Sequence, residues 1–548
     1  MKKRLLALGT LLIATLSLTA CDFLMPFIDG GSDAYSYRPG GRSSDEIFSS
    51  NDVIDSSLPP EGELTAKKAS YNYMDYIQNN ANPLSSTPCV GSANLLVIPV
   101  WFTDSTNFIL TSKRDDIKSD IEKAYFGTNS ETGWRSVKTY YEEESHGTLT
   151  LTGKVSSWYE CGESYTRYKT DDGYVTKTRN LVDKATKWYF DNNPSDTRKN
   201  YDKDGDGYLD GVMVIYGAPD SQALNVNNAD NLWAFCYWMA DPTVKSTFNP
   251  GLNAFFWASY DYMYNSKAAS NRTGKSSYNN GDTAHCNIDA HTYIHEMGHM
   301  FGLDDYYDYS DHTYTPAGKF SMQDHNVGSH DPFSVYALGW GKAYIPTESI
   351  TINLKKFTTT GEVILLSPSF NEYNSPFDEY LLLEYYTPTE LNELDTTYGY
   401  QNSNIKGSPE RGIRLWHVDA RLLVANNGYV DPNKMTSNPR VLTGNVVQAF
   451  TNTYDDGTEK TESYLSPLGS AYYDFNFLQL IRKNGGSYRP EDSFSTNSLF
   501  REGAEFSMDR YQRQFVKGAK LNSGKTLGFA FRVNKIYEDY ISISIYKA

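Results

Sequence analysis

Apolar residues fall into three successive regimes along this 548-residue chain. The first is one uncharged, largely apolar run, residues 5–20, behind Lys2, Lys3 and Arg4. It is shorter than the ~20 residues a helix needs to cross a bilayer. A basic start, a short apolar middle and small residues at its end predict a secretory signal peptide over 1–20. Residues 21–85 then show no sustained period and hold Gly-Gly, Pro-Pro and Ser-Ser pairs among Asp and Asn. Such a segment buries too little surface to offset chain entropy, which predicts a flexible tether or pro-region.

The second regime, 86–345, mixes two periods. The run 95–102 reads as a buried strand. Ile117, Ile121, Ala124 and Tyr125 share a helical face, with Gly127 as a stop. Helical spacing returns over 134–144 and 175–190, and strands are expected at 148–155 and 212–216. This mixture predicts an α+β (α/β-like) domain. From 346 to 548 short alternating segments take over, at 363–366, 380–386, 412–418, 527–533 and 540–546. Turn residues separate them, so the region is expected to be all-β and sandwich-like. No internal repeat indicates a solenoid.

Composition narrows the partners. A hydrophobic share of 39% with 44 Tyr supplies a packed interior. The balance of 50 Lys+Arg against 67 Asp+Glu, net −17, repels phosphate backbones and argues against a nucleic-acid partner.

Chemistry concentrates in one window. Seven of the nine histidines lie between His285 and His330. Among them is His295-Glu296-Met297-Gly298-His299. Residues four apart share a helix face, so both imidazoles can point at one ion. Glu296 can then take a proton from a water acidified by that ion, as in metal-assisted peptide hydrolysis. Gly302 lies three residues past His299 and Asp305 three further. A left-handed glycine would turn the chain back and offer Asp305 as third ligand. Two histidines, one carboxylate and an open position describe a catalytic zinc site.

This His295-to-Asp305 spacing resembles the metzincin clan of zincins. With aspartate as third ligand it is similar to the immune inhibitor A family of secreted bacterial zinc metallopeptidases. That family usually has Gly-Leu-Pro-Asp, whereas this chain has Gly302-Leu303-Asp304-Asp305. Asp304 and Asp305 therefore both stand as candidate ligands. Phe320-Ser321-Met322 resembles the methionine turn, which implies that Met322 packs beneath the metal without binding it. Weaker similarities are Tyr140-Tyr141 through Ser145-His146-Gly147, the Glu384 segment and Leu415-Trp416-His417-Val418-Asp419. The resemblance implies a zincin catalytic domain over 86–345 that acts on a protein or peptide substrate.

Asp202, Asp204, Asp206 and Asp210 alternate around Gly205 and Gly207, with the Tyr208 carbonyl as a further oxygen. Position twelve of the loop is Met213, so a complete EF-hand is excluded. A structural calcium is expected there, against the plainer reading of a solvated acidic turn. The leader ends Leu18-Thr19-Ala20-Cys21, which resembles a bacterial lipobox and implies lipidation, palmitate included, at Cys21. The protein would then be an exported monomer held on the outer face of a bacterial membrane. Cys89, Cys161, Cys236 and Cys286 allow three pairings or free buried thiols. The expected function is a lipid-anchored zinc endopeptidase with Glu296 as general base. The alternative is a non-catalytic surface binding protein on the same scaffold.

Overall fold

The computed structural model describes residues 47–48, 64–71, 87–169, 175–220, 232–239, 241–265, 288–308, 315–396, 407–424, 435–438, 446–453, 475–487 and 496–548. The leader, Cys21 and Cys286 lie outside them. The amino-terminal half carries strands β1 (Gly91–Trp101), β2 (Leu149–Val155), β3 (Tyr159–Glu160), β4 (Gly211–Tyr216), β5 (Phe235–Trp238) and β6 (Ala254–Ser259). Its longer helices are α1 (Arg114–Phe126), α2 (Val137–Glu144), α3 (Thr176–Asn192), α4 (His291–Met300) and α5 (Pro332–Ala337).

These six strands form one sheet in the order β2-β1-β4-β6-β5, with β3 also on β1. Pairing is parallel except for β5, which runs antiparallel beside β6. β1 is a continuous apolar run because helices cover both faces of the sheet. Leu96, Ile98 and Val100 pack with Leu181, Val182 and Ala185 of α3. Leu95 and Val97 join the cluster that holds Ile117 and Ile121 of α1, Tyr140 and Tyr141 of α2, and Ile294 and Met297 of α4. Ser136 starts α2 with a capping box, its hydroxyl accepting from the Thr139 amide. Helix α1 stops at Gly127, whose Cβ, if present, would lie 2.6 Å from the Lys123 carbonyl.

The carboxyl-terminal half is built from β7 (Lys342–Tyr344), β8 (Ile350–Lys355), β9 (Glu362–Leu366), β10 (Glu379–Tyr386), β11 (Gly412–Asp419), β12 (Leu422–Val424), β13 (Val446–Gln448), β14 (Leu478–Ile481), β15 (Glu505–Phe506), β16 (Phe529–Ile536) and β17 (Tyr540–Lys547). They make a five-stranded sheet, β14-β11-β10-β9-β7, a four-stranded sheet, β15-β16-β17-β8, and the pair β12-β13. The described residues are mixed α and β, with strands dominating beyond residue 345.

Period two decides what each face of the five-stranded sheet meets. Leu381, Leu383 and Tyr385 share an apolar core with Phe531, Val533, Ile541 and Ile543 of the four-stranded sheet. Tyr380, Leu382 and Tyr386 point the other way, into the cluster that contains Met297, Phe320 and Met322. Both faces of β10 are therefore buried, and one core runs across residue 345. Two short pieces of the 21–85 segment are docked. Lys67 pairs with Ala343 of β7 through two 2.8 Å backbone bonds, and Phe48 meets Tyr546 edge-on. The rest of that segment lies outside the described residues.

Because β10 is covered on both sides, Leu381→Ala and Leu382→Ala are each expected to destabilise the protein by about 2–5 kcal/mol. Urea unfolding checks this; a loss confined to one of the two would mean that the other face is solvated.

Candidate active site

Helix α4 carries the histidine motif, and its last turn explains the geometry that follows. The helix ends at Met300, and Gly302 adopts φ +93°, a left-handed conformation costly for any side chain. The chain reverses there, and the Leu303 amide donates back to the Gly298 carbonyl (3.2 Å). This reversal brings Asp305 under the helix. His295 Nε2 and His299 Nε2 each lie 3.1 Å from Asp305 Oδ1. Asp304 points elsewhere, with its Oδ2 accepting from the Thr451 hydroxyl at 3.4 Å.

The tautomers follow from the other ring nitrogens. His295 Nδ1 donates to the Met322 carbonyl (2.7 Å), and His299 Nδ1 donates to the Leu303 carbonyl (2.8 Å). Each neutral ring then presents its Nε2 lone pair to Asp305. Three electron-rich atoms at such range repel one another unless positive charge lies among them. Burial alone would lower the His295 pKa, but the adjoining Asp305 carboxylate outweighs it and the net shift is upward. A zinc ion satisfies the same demand. Ligands ~2.0–2.1 Å from tetrahedral zinc lie ~3.3 Å apart, close to the separations seen. The donor set therefore fits zinc. Met322 is fully buried, and its backbone carbonyl orients His295. Glu296 is buried on the same helix, and its carbonyl accepts from Cys236 Sγ (3.0 Å) on β5.

Behind the three groups lies a polar chain that sequence reasoning missed. The Gln323 amide spans 3.1 Å to His299 Nδ1 and 3.2 Å to His330 Nε2. Tyr140 donates to the Gly328 carbonyl (3.0 Å), so its oxygen accepts from His330 Nδ1 (3.1 Å). His330 Nε2 must then accept from the amide NH2, which turns the amide oxygen toward His299 Nδ1–H. Burial pushes His330 down to about 3, which keeps the ring neutral and able to accept. Its backbone amide donates to Glu144 (2.9 Å), a carboxyl that burial raises well above its ordinary value. The Tyr140-Tyr141 similarity is the only sequence signal for this layer, and it does not reveal the partners.

A buried cation links the site to the five-stranded sheet. Arg414 of β11 lies 3.5 Å from both Glu384 and Asp395 and stacks over Tyr386 and Phe320, at 3.7 and 4.6 Å. Phe320 precedes the Ser321-Met322-Gln323 turn. Ser321 in turn donates to Asp331 (2.8 Å), which caps α5.

Three other histidines have structural partners. His291 Nε2 donates to the Asn326 carbonyl (2.6 Å), His325 pairs with Asp324 (2.6 Å), and His417 pairs with Glu379 (3.0 Å). His285 and His312 lie outside the described residues. Among the described residues, Cys89, Cys161 and Cys236 form no disulfide with one another.

In the acidic loop, Asp202, Asp204 and Asp210 offer oxygens within 4.8 Å of one another. Asp206 and Tyr208 lie outside this trio; Asp206 Oδ1 accepts from the Tyr208 amide (2.8 Å). Burial and neighbouring carboxylates push Asp206 and Asp210 up to about 7.

A helix carrying two histidines and a glutamate, with an aspartate folded beneath it, defines a metallohydrolase centre. Residues 111–324 match the family described as immune inhibitor A peptidase M6, catalytic domain. The chain thus carries an immune inhibitor A-like catalytic domain and is a metalloendopeptidase, a hydrolase acting on peptide bonds. The family implies a zinc cofactor and a zincin catalytic domain. No curated protein matches the chain.

Gly298 is required by close approach: a Cβ there would lie 2.1 Å from the terminal amide of Gln323. Gly298→Ala is expected to cost about 1–3 kcal/mol through this overpacking. Adding Gln323→Ala should cost less in that background than in the wild type, because it removes the clash. A double-mutant cycle in urea checks this; simple additivity would refute it.

Proposed function

We propose that the protein is an exported, lipid-anchored zinc endopeptidase in which His295, His299 and Asp305 hold the metal and Glu296 is the general base. The observation that carries this reading is the convergence of two Nε2 atoms on Asp305 Oδ1 at 3.1 Å, with both Nδ1 atoms committed to carbonyls. Zinc supplies Lewis acidity toward the scissile carbonyl and lowers the pKa of water. Glu296 receives the proton of the attacking water and returns it to the leaving amine. Gln323 and the Met322 and Leu303 carbonyls keep the imidazoles in register throughout. Asp305 rather than Asp304 is the carboxylate ligand, because Asp304 is engaged by Thr451.

Lipid anchoring rests on the lipobox-like Leu18-Thr19-Ala20-Cys21 string that closes the apolar leader. No helix among the described residues is long and apolar enough to cross a membrane. The two carboxyl-terminal sheets, which share one apolar core, are read as a sandwich.

The acidic loop is proposed to take a structural calcium ion. Crowding of Asp202, Asp204 and Asp210, with Asp202 Oδ1 buried, supports a hard-cation site.

Wild-type protein is expected to hydrolyse a quenched casein substrate, and Glu296→Gln to lose at least about a hundredfold in kcat. His299→Ala should lose its zinc by elemental analysis. Undiminished turnover in Glu296→Gln contradicts the mechanism; a wild type without any hydrolysis favours the binding-protein alternative.

Calcium should raise the melting temperature, and the increment should grow with pH. Without a cation, Asp206 and Asp210 titrate near about 7 when folded, against an ordinary value of 3.8. The native state holds those protons more tightly, so its stability falls as pH rises from about 4 to about 7. A bound cation removes that loss. Scanning calorimetry with and without calcium tests this; an increment independent of pH, or one kept by Asp204→Ala/Asp210→Ala, would refute it.

A further inference from the structure

Asp305 sits on Leu303–Asp308, a stretch with no helix or strand of its own. A ligand on such a segment is only as well placed as the bonds that pin its backbone. Three pins come from the catalytic half: the Leu303 amide donates to the Gly298 carbonyl (3.2 Å), the His299 ring holds the Leu303 carbonyl, and the Tyr306 amide donates to the Gln323 carbonyl (2.8 Å). The others come from well beyond the matched family segment. Asn452 Nδ2 donates to the carbonyl of Tyr306 (3.1 Å), the residue immediately after Asp305. Thr451 donates to Asp304, the residue immediately before it. The Tyr306 ring also lies 5.6 Å from Phe477.

Asn452 is fully buried and its amide is used at both ends. Besides Tyr306, Nδ2 donates to the Leu478 carbonyl (2.7 Å), while Oδ1 accepts from the Leu478 amide (3.0 Å). Leu478 opens β14, the outer strand of the five-stranded sheet. Two donors and one acceptor in this planar arrangement suit a primary amide and no aliphatic or acidic side chain. The sheet is thereby tied, through one side chain, to the residue that follows the carboxylate.

We propose that Thr451 and Asn452 are positioning residues for the Asp305 carboxylate, so that the carboxyl-terminal half completes the metal site. The proposal rests on the reading of His295, His299 and Asp305 as the ligands. Neither residue touches the metal or substrate; both act by fixing the backbone on either side of Asp305. Losing Asn452 releases the Tyr306 carbonyl from this bond, and the aspartate can then swing out of reach of the two imidazoles. The pairing also accounts for Asp304, whose side chain accepts a bond that proline, usual at this place in the family, could not.

The test uses the full chain and zinc alone. Zinc Kd is measured by competition with a chromophoric chelator, at a temperature where near-ultraviolet circular dichroism shows each variant folded. Asn452→Asp keeps the shape and the acceptor for Leu478 but loses both donors; it should raise the zinc Kd by about 10–100-fold. Thr451→Val, which removes the bond to Asp304 together with the hydroxyl's two bonds to Thr453, should raise it by a few-fold and serves if the Asn452 variant does not fold. Leu381→Ala, on the far face of the sheet, is the control for general destabilisation and should leave the zinc Kd within about twofold. Unchanged zinc affinity in Asn452→Asp and Thr451→Val overturns the proposal while leaving the ligand assignment intact. An equal loss in Leu381→Ala also overturns it, since the effect would then be unspecific. A wild type that binds no zinc, or keeps it in His299→Ala, overturns the ligand assignment and this proposal with it.

Discussion

Two imidazole lone pairs and a carboxylate oxygen meet at one buried point, and the surrounding structure is arranged to keep them there. Left alone, these groups would separate or pick up protons, because like partial charges at 3.1 Å in a poorly solvated place are unfavourable. The chain resists this with hydrogen bonds whose other ends are backbone carbonyls. The Met322 and Leu303 carbonyls fix the rings, and the Gln323 amide braces His299 from behind. Such acceptors have no charge state to change, and each keeps the hydrogen of its ring on Nδ1 so that Nε2 faces Asp305.

The supports come from widely separated parts of the sequence. Helix α2 contributes Tyr140 and Glu144, and Tyr141 donates to the Ile294 carbonyl of the motif helix (2.6 Å). The methionine turn contributes Met322 and Gln323. The five-stranded sheet contributes Arg414, whose guanidinium stacks on Phe320 just ahead of that turn. Glu384 and Asp395 flank this cation, and burial raises them to about 7 and about 6 despite its proximity. Breaking a buried pair of this kind by removing one partner costs more than the pair itself contributes. The sheet therefore acts as a wall of the catalytic unit as much as a separate region.

Much of this is legible from residue patterns. Period and length mark three helices, found at 114–126, 137–144 and 176–192, and five of the eleven carboxyl-terminal strands (β9, β10, β11, β16 and β17) to within a few residues, but not β7, β8 or β12 to β15. The His-Glu-x-x-His spacing and the glycine at 302 identify the chemistry, because both encode local geometry: four residues per helical face, and a left-handed turn. The supporting layer is not legible. Nothing about Gln323 marks it as a bridge between His299 and His330. Nothing about Asn452 announces a bond to Tyr306, because neither pair is periodic or adjacent in sequence.

The sequence alone determined the kind of chemistry and the elements that carry it, since helix faces, turns and ligand types are set by neighbours a few residues away. It favoured Asp305 as the third ligand and left Asp304 as the alternative. In the tertiary structure Thr451 meets Asp304, and two histidines meet Asp305. That structure also decided that both faces of β10 would be buried and that the catalytic unit would lean on the sheet beyond residue 345. Those outcomes depend on which surfaces meet after the chain has closed long loops, and no local pattern records such a meeting.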